Sequence, residues 1–246
     1  MKSINIAAAS DIGRVRRANE DCYEVWQPSA DTACVIVADG MGGHKGGQLA
    51  SRSAISHVRK CLEKQGVFSM DGDLVPKALE TCIISANEKV FLKSLEETEL
   101  VGMGTTMVLC VIREGRLYAA NVGDSRLYLV RNGIAEQITK DHSVVQELLD
   151  AGSITYDQMK QHPQKHVITR AIGSERSIAA DTFSRRLTAG DTIIVCSDGL
   201  TNLVSDQELA AETVNYTDVK DNVTHLIALA NERGGSDNIT AAVIRL

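Results

Sequence analysis

Short runs of β-branched and small apolar residues recur along the whole chain, and most of them lead directly into Gly, Asp or Asn. Each run has the composition of a buried strand, and the residues that follow it are typical of tight turns. The predicted strands cover residues 4–9, 33–38, 105–112, 117–122, 127–130, 192–196 and 239–244. Several follow one another with no helix between them, which argues against a parallel sheet built from alternating strands and helices.

Helices are predicted where apolar residues repeat at the spacing of one helix face. The helical stretches are 50–62, 79–90 and 219–230. Gly115 and the Asn132-Gly133 pair separate consecutive strands and predict antiparallel hairpins. Together these elements predict an α+β fold, a four-layer αββα sandwich in which two antiparallel β-sheets are flanked by helix pairs.

At 246 residues the chain exceeds the usual size of one domain but stays within the range of sandwiches built around one core. We therefore predict a single domain over residues 1–246. Residues 141–173 carry His142, His162 and His166 without clear periodicity. We interpret this segment as a flap beside the main body.

The charge and the apolar pattern argue against several partners. A formal net charge of −6 disfavours nucleic acid, because binding to the phosphate backbone needs a surplus of Lys and Arg. No apolar run approaches the roughly 20 residues that span a bilayer, and the first residues lack the apolar core of a signal peptide. We therefore expect a cytoplasmic protein that does not insert into membranes. We also expect a monomer, although the sequence leaves the oligomeric state open.

The six cysteines form no Cys-x-x-Cys pair and mostly lie inside apolar runs. We interpret them as buried free thiols rather than as zinc ligands or disulfides. Cys110 and Arg116 have the spacing found in cysteine-dependent tyrosine phosphatases, whose thiolate must be partly exposed and electropositive. Because Cys110 continues an apolar strand, we assign its thiol to the core instead.

Four aspartates adjoin core strands, namely Asp39, Asp124, Asp198 and Asp237. One such residue is usually part of a turn. Four of them at strand ends would gather like charges that repel one another unless a cation lay among them. Oxygen ligands without recurring His or Cys select Mg²⁺ or Mn²⁺ over zinc. The pattern therefore predicts a site for hard divalent cations.

The residues around these aspartates form specific motifs. In chain order they are SDIGRVRRANED (10–21), DGMGG (39–43), GTT (104–106), VGDSR (122–126), SDGL (197–200) and SDNIT (236–240). In this order and spacing the chain resembles the bacterial protein phosphatase 2C family over almost its whole length. The resemblance implies a metal-dependent enzyme that hydrolyses phosphoserine and phosphothreonine in proteins, using water activated by two cations. It also implies that the enzyme reverses a bacterial serine/threonine kinase, acting on the kinase or on its targets.

The resemblance also assigns metal ligands. Asp39 would bridge two cations, Mn²⁺ or Mg²⁺, and the Gly40 carbonyl would bind one of them. Asp198 and Asp237 would hold the other cation, and Asp124 with Asp198 would hold a third, weaker one.

Further residues match supporting positions of the family. Glu20 matches a ligand of the second cation, direct or through water, while Asp21 and Asn238 would lie behind the ligands. A solvated acidic pair is the alternative for Glu20 and Asp21. Arg16 matches the phosphate-binding arginine and, with Asp39, would be catalytic, since its planar fork suits two phosphoryl oxygens.

One position departs from the pattern of many eukaryotic relatives. They have a His where this chain has Met41, so the identity of any general acid stays open. His44 is three residues further on and is equally consistent with a surface residue. Two other functions are weighed against this one. A catalytically silent binding module would be marked by the loss of metal aspartates, and all four are present here. A small-molecule phosphatase would share the metal chemistry but not the substrate.

Overall fold

The computed structural model describes residues 3–246, with the side chain of His44 excepted. The strands are β1 (Asn5–Asp11), β2 (Cys22–Ser29), β3 (Thr32–Ala38), β4 (Gly40–Met41), β5 (Gly104–Thr105), β6 (Met107–Arg113), β7 (Arg116–Val122), β8 (Arg126–Arg131), β9 (Ile134–Gln137), β10 (Asp181–Arg186), β11 (Thr192–Cys196) and β12 (Ile239–Arg245). The α-helices are α1 (His44–Gln65), α2 (Val75–Ser94), α3 (Val144–Asp150), α4 (Tyr156–Gln161), α5 (Asp198–Thr201), α6 (Asp206–Asn215) and α7 (Val219–Glu232).

The strands form two five-stranded antiparallel sheets, one in the order β1-β12-β11-β8-β9 and the other in the order β10-β7-β6-β3-β2. A separate two-residue ribbon pairs β4 with β5. The hairpin between β8 and β9 turns at Asn132 and Gly133, whose φ angles are 52° and 75°. Positive φ at both positions gives the turn the same twist as the strands that it joins.

Apolar clusters join the neighbouring layers. The helices α1 and α2 contact the β10-β7-β6-β3-β2 sheet through a cluster that includes Leu79 and Leu109. The two sheets face each other across a second cluster, which includes Val35 and Leu127. The helices α6 and α7 contact the other sheet through a third cluster around Leu226. The result is the predicted αββα sandwich.

The predicted strands and helices lie within the observed elements, except that Ile4 precedes β1 by one residue, and two differences are informative. The predicted strand at 105–112 is divided at Thr106, which bonds to Asp39 instead of continuing the sheet. The edge strand β2 is not among the predicted strands. Its polar residues and Pro28 interrupt the continuous apolar run that identifies a buried strand. The flap segment 141–173 contains the short helices α3 and α4.

The interpretation of all six cysteines as free thiols is wrong for one pair. Cys61 of α1 and Cys82 of α2 form a disulfide, with their Cα atoms 5.5 Å apart. The pairing depends on how two helices pack, which residue spacing does not reveal. Cys110 is a free, fully buried thiol of β6 whose pKa is raised by burial, as its assignment to the core requires.

Among residues 3–246, no helix combines the length and the apolar character needed to cross a membrane.

Candidate active site

The ends of four strands surround a cavity of about 610 Å³. The strands β3 and β7 both run antiparallel to β6, so their carboxyl ends reach the same edge of that sheet. In the other sheet, the end of β11 adjoins the start of β12. Asp39, Asp124, Asp198 and Asp237 occupy these four places, and all of them line the cavity.

The other sequence-predicted site residues lie around the same cavity. Arg16, Glu20, Gly40 and Asn238 line it, and Asp21 is buried behind it. The structure therefore brings all of the predicted site residues into one region.

Two consecutive threonines fix the backbone of Asp39. The backbone N–H of Asp39 donates to Thr106 Oγ1 at 3.0 Å, and the carbonyl of Asp39 accepts from the N–H of Thr106 and the hydroxyl of Thr105, each at 2.8 Å. Thr106 Oγ1 also lies 2.7 Å from Ser125 Oγ, next to Asp124. This chain of hydrogen bonds connects the strand ends that carry Asp39 and Asp124.

Asn238 fastens the segment between β1 and β2 to the start of β12. Its side-chain NH₂ donates to the carbonyls of Ile12 and Ala18 at 2.9 and 3.0 Å, and its Oδ1 accepts from the N–H of Glu20 at 2.8 Å. The carbonyl of Glu20 accepts from Ser51 Oγ of α1 at 2.7 Å. The backbone of Glu20 is thus held from both sides.

Asp21 lies behind the cavity with little access to water. Ser197 Oγ donates to Asp21 Oδ2 at 2.8 Å, whereas Asp21 Oδ1 is buried without a hydrogen-bond partner. Burial raises the pKa of Asp21 to about 7, against the hydrogen bonds from Thr240 and Ser197. The negative charges of Asp198 and Asp237 add to the rise.

Two cavity carboxylates are already bonded to neighbouring side chains. Arg16 donates from NH2 to Asp237 Oδ2 at 2.7 Å, with about half of the arginine side chain exposed. Asn202 donates to Asp198 Oδ2 at 2.9 Å, and Asp198 Oδ1 is buried without a hydrogen-bond partner. Arg16 therefore contacts a predicted metal ligand while its guanidinium faces the cavity.

Burial disfavours the ionised forms of Asp39 and Asp124. Removal from water raises the pKa of Asp124 to about 8, and the charge of Asp198 adds to this. The pKa of Asp39 is also raised, first by burial and then by the charges of the neighbouring carboxylates. A cation among these groups would act in the opposite direction, because it favours the ionised form.

The flap contributes His166 and Ile168 to the cavity wall. The segment that carries them is tied to the start of the flap, where the N–H of Val144 donates to the carbonyl of Val167 at 2.9 Å. The N–H of Thr169 donates to the carbonyl of His142 at 2.8 Å. These bonds hold the second half of the flap against the first.

His142 also connects the flap to the loop before Asp124. Its Nδ1 accepts from the backbone N–H of Gly123 at 3.1 Å, so the hydrogen of the neutral ring lies on Nε2, 3.3 Å from Asp181 Oδ2. Burial lowers the pKa of His142, and the hydrogen bond with Asp181 acts against this. The imidazole is therefore held at both ring nitrogens.

A family model described as protein phosphatase 2C matches residues 14–242. The chain belongs to the protein phosphatase 2C family. Like its relatives it is a serine/threonine phosphatase, a hydrolase that acts on phosphorylated proteins, and the family depends on metal ions.

Several relatives of the protein phosphatase 2C family match the chain over nearly its whole length. The serine/threonine phosphatase stp of Listeria monocytogenes serotype 4b (strain F2365) is 37% identical over 235 residues, which cover 96% of this chain and 93% of that protein. The structure of the serine/threonine phosphatase Stp1 from Staphylococcus aureus has a TM-score of 0.92 at 31% identity, covering 100% of this chain and 97% of that one. The catalytic domain of the serine/threonine protein phosphatase PstP in complex with two manganese ions has a TM-score of 0.84 at 34% identity, covering 99% and 98%.

The cavity of this protein phosphatase 2C member fits hard divalent cations. Its charged candidate ligands are carboxylates. Asp198 Oδ1 is buried without a hydrogen-bond partner, and a bound cation would supply the missing interaction. Among the described His, Cys, Asp and Glu side chains, no three are close enough to hold an ion as they stand.

No role is predicted from the sequence for Thr106, Ser125, Ser197, Asn202 or His166. The first three lie inside or beside motifs that carry the aspartates, and Asn202 follows Asp198 by one helical turn, so local signals for these four exist. The place of His166 in the cavity wall depends on the path of the flap and has no local signal.

Proposed function

We propose that the chain hydrolyses phosphoserine and phosphothreonine with two cations, Mn²⁺ or Mg²⁺, held where the four strand ends meet. Asp39 would bridge both cations with the Gly40 carbonyl on one, and Asp198 and Asp237 would hold the other. The convergence of these aspartates on one cavity, with raised pKa values at Asp39 and Asp198, carries the proposal.

The remaining ligand assignments follow from the same cavity. Glu20 would bind the second cation, directly or through water, with its backbone fixed by Asn238. Asp124 and Asp198 would hold a third, weaker ion, and the charge of Asp198 already raises the pKa of Asp124. Asp21 would stay behind the ligands.

When bound, paired cations lower the pKa of a water molecule toward neutrality and balance charge on the phosphoryl oxygens. The side chains of the protein then have to position the phosphate. Arg16 would donate two parallel hydrogen bonds to its oxygens, since its half-exposed guanidinium faces the cavity. Its contact with Asp237 would keep the fork oriented before the substrate arrives.

The biological setting is inferred from the relatives. We propose one catalytic domain that reverses a serine/threonine kinase by acting on the kinase or its targets. The relatives are named serine/threonine phosphatases, and an enzyme of this class removes the phosphate that such a kinase adds. The cytoplasmic location and the monomeric state stay predictions from the sequence.

The proposal is tested with Asp39→Asn. The variant should lose manganese-supported release of phosphate from a phosphothreonine peptide by about 100-fold or more, because the amide cannot supply the charge that the cations need. Calorimetric titration should show two strongly bound Mn²⁺ ions in the wild type and fewer in the variant. A chelator should abolish wild-type activity, whereas thiol alkylation should not.

Asp31→Asn is the matched control, since Asp31 is an exposed aspartate on the turn between β2 and β3. It should leave activity and manganese uptake unchanged. Full activity of Asp39→Asn with the same manganese uptake would overturn the bridging role.

A further inference from the structure

The proposed reaction leaves the oxygen of a serine or threonine side chain without a proton. An alkoxide is a poor leaving group, so a positioned acid that protonates this oxygen lowers the barrier. Met41 carries no proton to give, although it lies at the cavity wall. The donor has to come from another part of the cavity.

The other described side chains of the cavity are poor candidates. Arg16 stays charged at any working pH and donates hydrogen bonds rather than protons. Asp39, Asp124 and Asp198 must be ionised to bind cations. Among the described side chains that line the cavity, the one imidazole belongs to His166.

The backbone that follows His166 in the chain is held by hydrogen bonds and β-bridges. Val167 is bonded to Val144, and Ile168 forms a β-bridge with Ser143. Further along, Ile172 forms a β-bridge with Thr105. The imidazole is therefore presented to the cavity from the end of an anchored segment, while the side chain itself stays exposed enough to turn.

His166 lies near enough to Asp198 for their charges to interact. Burial and the charge of Asp237 raise the pKa of Asp198, and the positive charge of His166 acts in the opposite direction. Histidine is also the side chain best suited to proton transfer near neutral pH.

On the basis of the proposed function, we propose that His166 is a catalytic residue that protonates the departing serine or threonine oxygen. The water oxygen forms a bond to phosphorus as the bond from phosphorus to the side-chain oxygen breaks. The electron pair of the broken bond stays on the side-chain oxygen, which takes the proton from the imidazolium. The neutral ring then regains a proton from solvent, and the proton lost by the attacking water leaves to solvent.

The test compares two substrates that differ in their need for a proton. p-Nitrophenolate leaves without protonation, whereas the serine oxygen of a phosphoserine peptide does not. His166→Gln should lower kcat on the phosphopeptide roughly 100-fold and kcat on p-nitrophenyl phosphate by less than about threefold. Both are measured with saturating Mn²⁺, and circular dichroism checks the fold.

His162→Gln is the matched control on the same flap, because the ring of His162 accepts from the N–H of Gln164 and lies outside the cavity lining. It should change neither rate. His44→Gln is the rival variant, and a loss confined to the phosphopeptide in that variant, with His166→Gln unaffected, would overturn the proposal. Equal losses on both substrates in His166→Gln would also overturn it, since a purely structural role predicts them. If the wild type hydrolysed neither substrate, the proposed function itself would fail and the role of His166 with it.

Discussion

Gly47 lies in the first turns of α1 at a point where no side chain fits. A Cβ atom on this residue would overlap Glu20 Oε2 and would lie 2.8 Å from the carbonyl carbon of Gly40. Glycine therefore allows α1 to approach two predicted ligand groups at once. At the scale of single residues, the geometry of the site depends on the absence of one methyl group as much as on the carboxylates.

Gly47→Ala should lower kcat/KM on a phosphothreonine peptide roughly 100-fold, because a displacement of about 1 Å among catalytic groups has this effect. Calorimetry should also show weaker manganese binding. Gly46→Ala is the control, since its Cβ would lie 3.1 Å from the side chain of Met103 and would meet neither ligand group. Unchanged manganese affinity in Gly47→Ala would contradict the assignment of Glu20 and Gly40 to the ions.

At the scale of elements, His142 is the point where the flap joins the loop that carries Asp124. Both backbone groups of Gly123 are bonded to this residue: its N–H donates to His142 Nδ1, and its carbonyl accepts from the N–H of His142 at 2.9 Å. The ring of His142 also contacts the carboxylate of Asp181, the first residue of β10. A change at His142 should therefore perturb both the flap and the loop that carries Asp124.

His142→Ala should destabilise the protein by about 1–3 kcal/mol, because the buried N–H of Gly123 loses its acceptor. Urea unfolding measures this loss. His142→Asn should recover part of it, since the amide oxygen can take the place of Nδ1. His162→Ala, on the same flap, should have little effect. If the alanine and asparagine variants proved equally unstable, the hydrogen bond to Gly123 would not be the cause.

The elements differ in how far sequence alone predicts them. The strand β6 is buried over its whole length, so its continuous apolar run is easy to recognise. The edge strand β2 exposes Tyr23 and Val25 and lacks that signal. The disulfide and the position of His166 depend on contacts between distant segments, which no local pattern encodes. The aspartates were recognisable because strand ends with Gly or Asn beside them are local features.

At the scale of the whole molecule, the two sheets direct four strand ends to one edge, and the fold therefore concentrates negative charge there. Burial raises the pKa of Asp21 to about 7 and that of Asp124 to about 8, above the usual value near 3.8. At any pH between the usual pKa and the raised pKa values, these two carboxyls bind more protons in the folded state than in the unfolded state. Its stability should fall as pH rises through this range, since the unfolded chain releases the protons more easily.

Chelator-treated protein should therefore lose at least about 2–4 °C in Tm between about pH 6.5 and about pH 8.5, the shift expected for roughly 1 kcal/mol in a chain of this size. The lowered pKa of His142 has the opposite effect, because it destabilises the folded state as the pH falls. A starting pH near 6.5 keeps this contribution small. Manganese should reduce or reverse the loss, because cations bind the ionised carboxylates and stabilise the folded state more as pH rises.

Asp21→Asn isolates one contribution, since the amide removes a buried titrating group behind the predicted ligands. Differential scanning calorimetry of this variant should show a smaller decrease in Tm with pH in the chelator. A Tm of the wild type that stays constant or increases over this range without metal would contradict the assignment. In that case the folded protein would already compensate the charges of its carboxylates, and cations would not be required to stabilise this edge of the sheets.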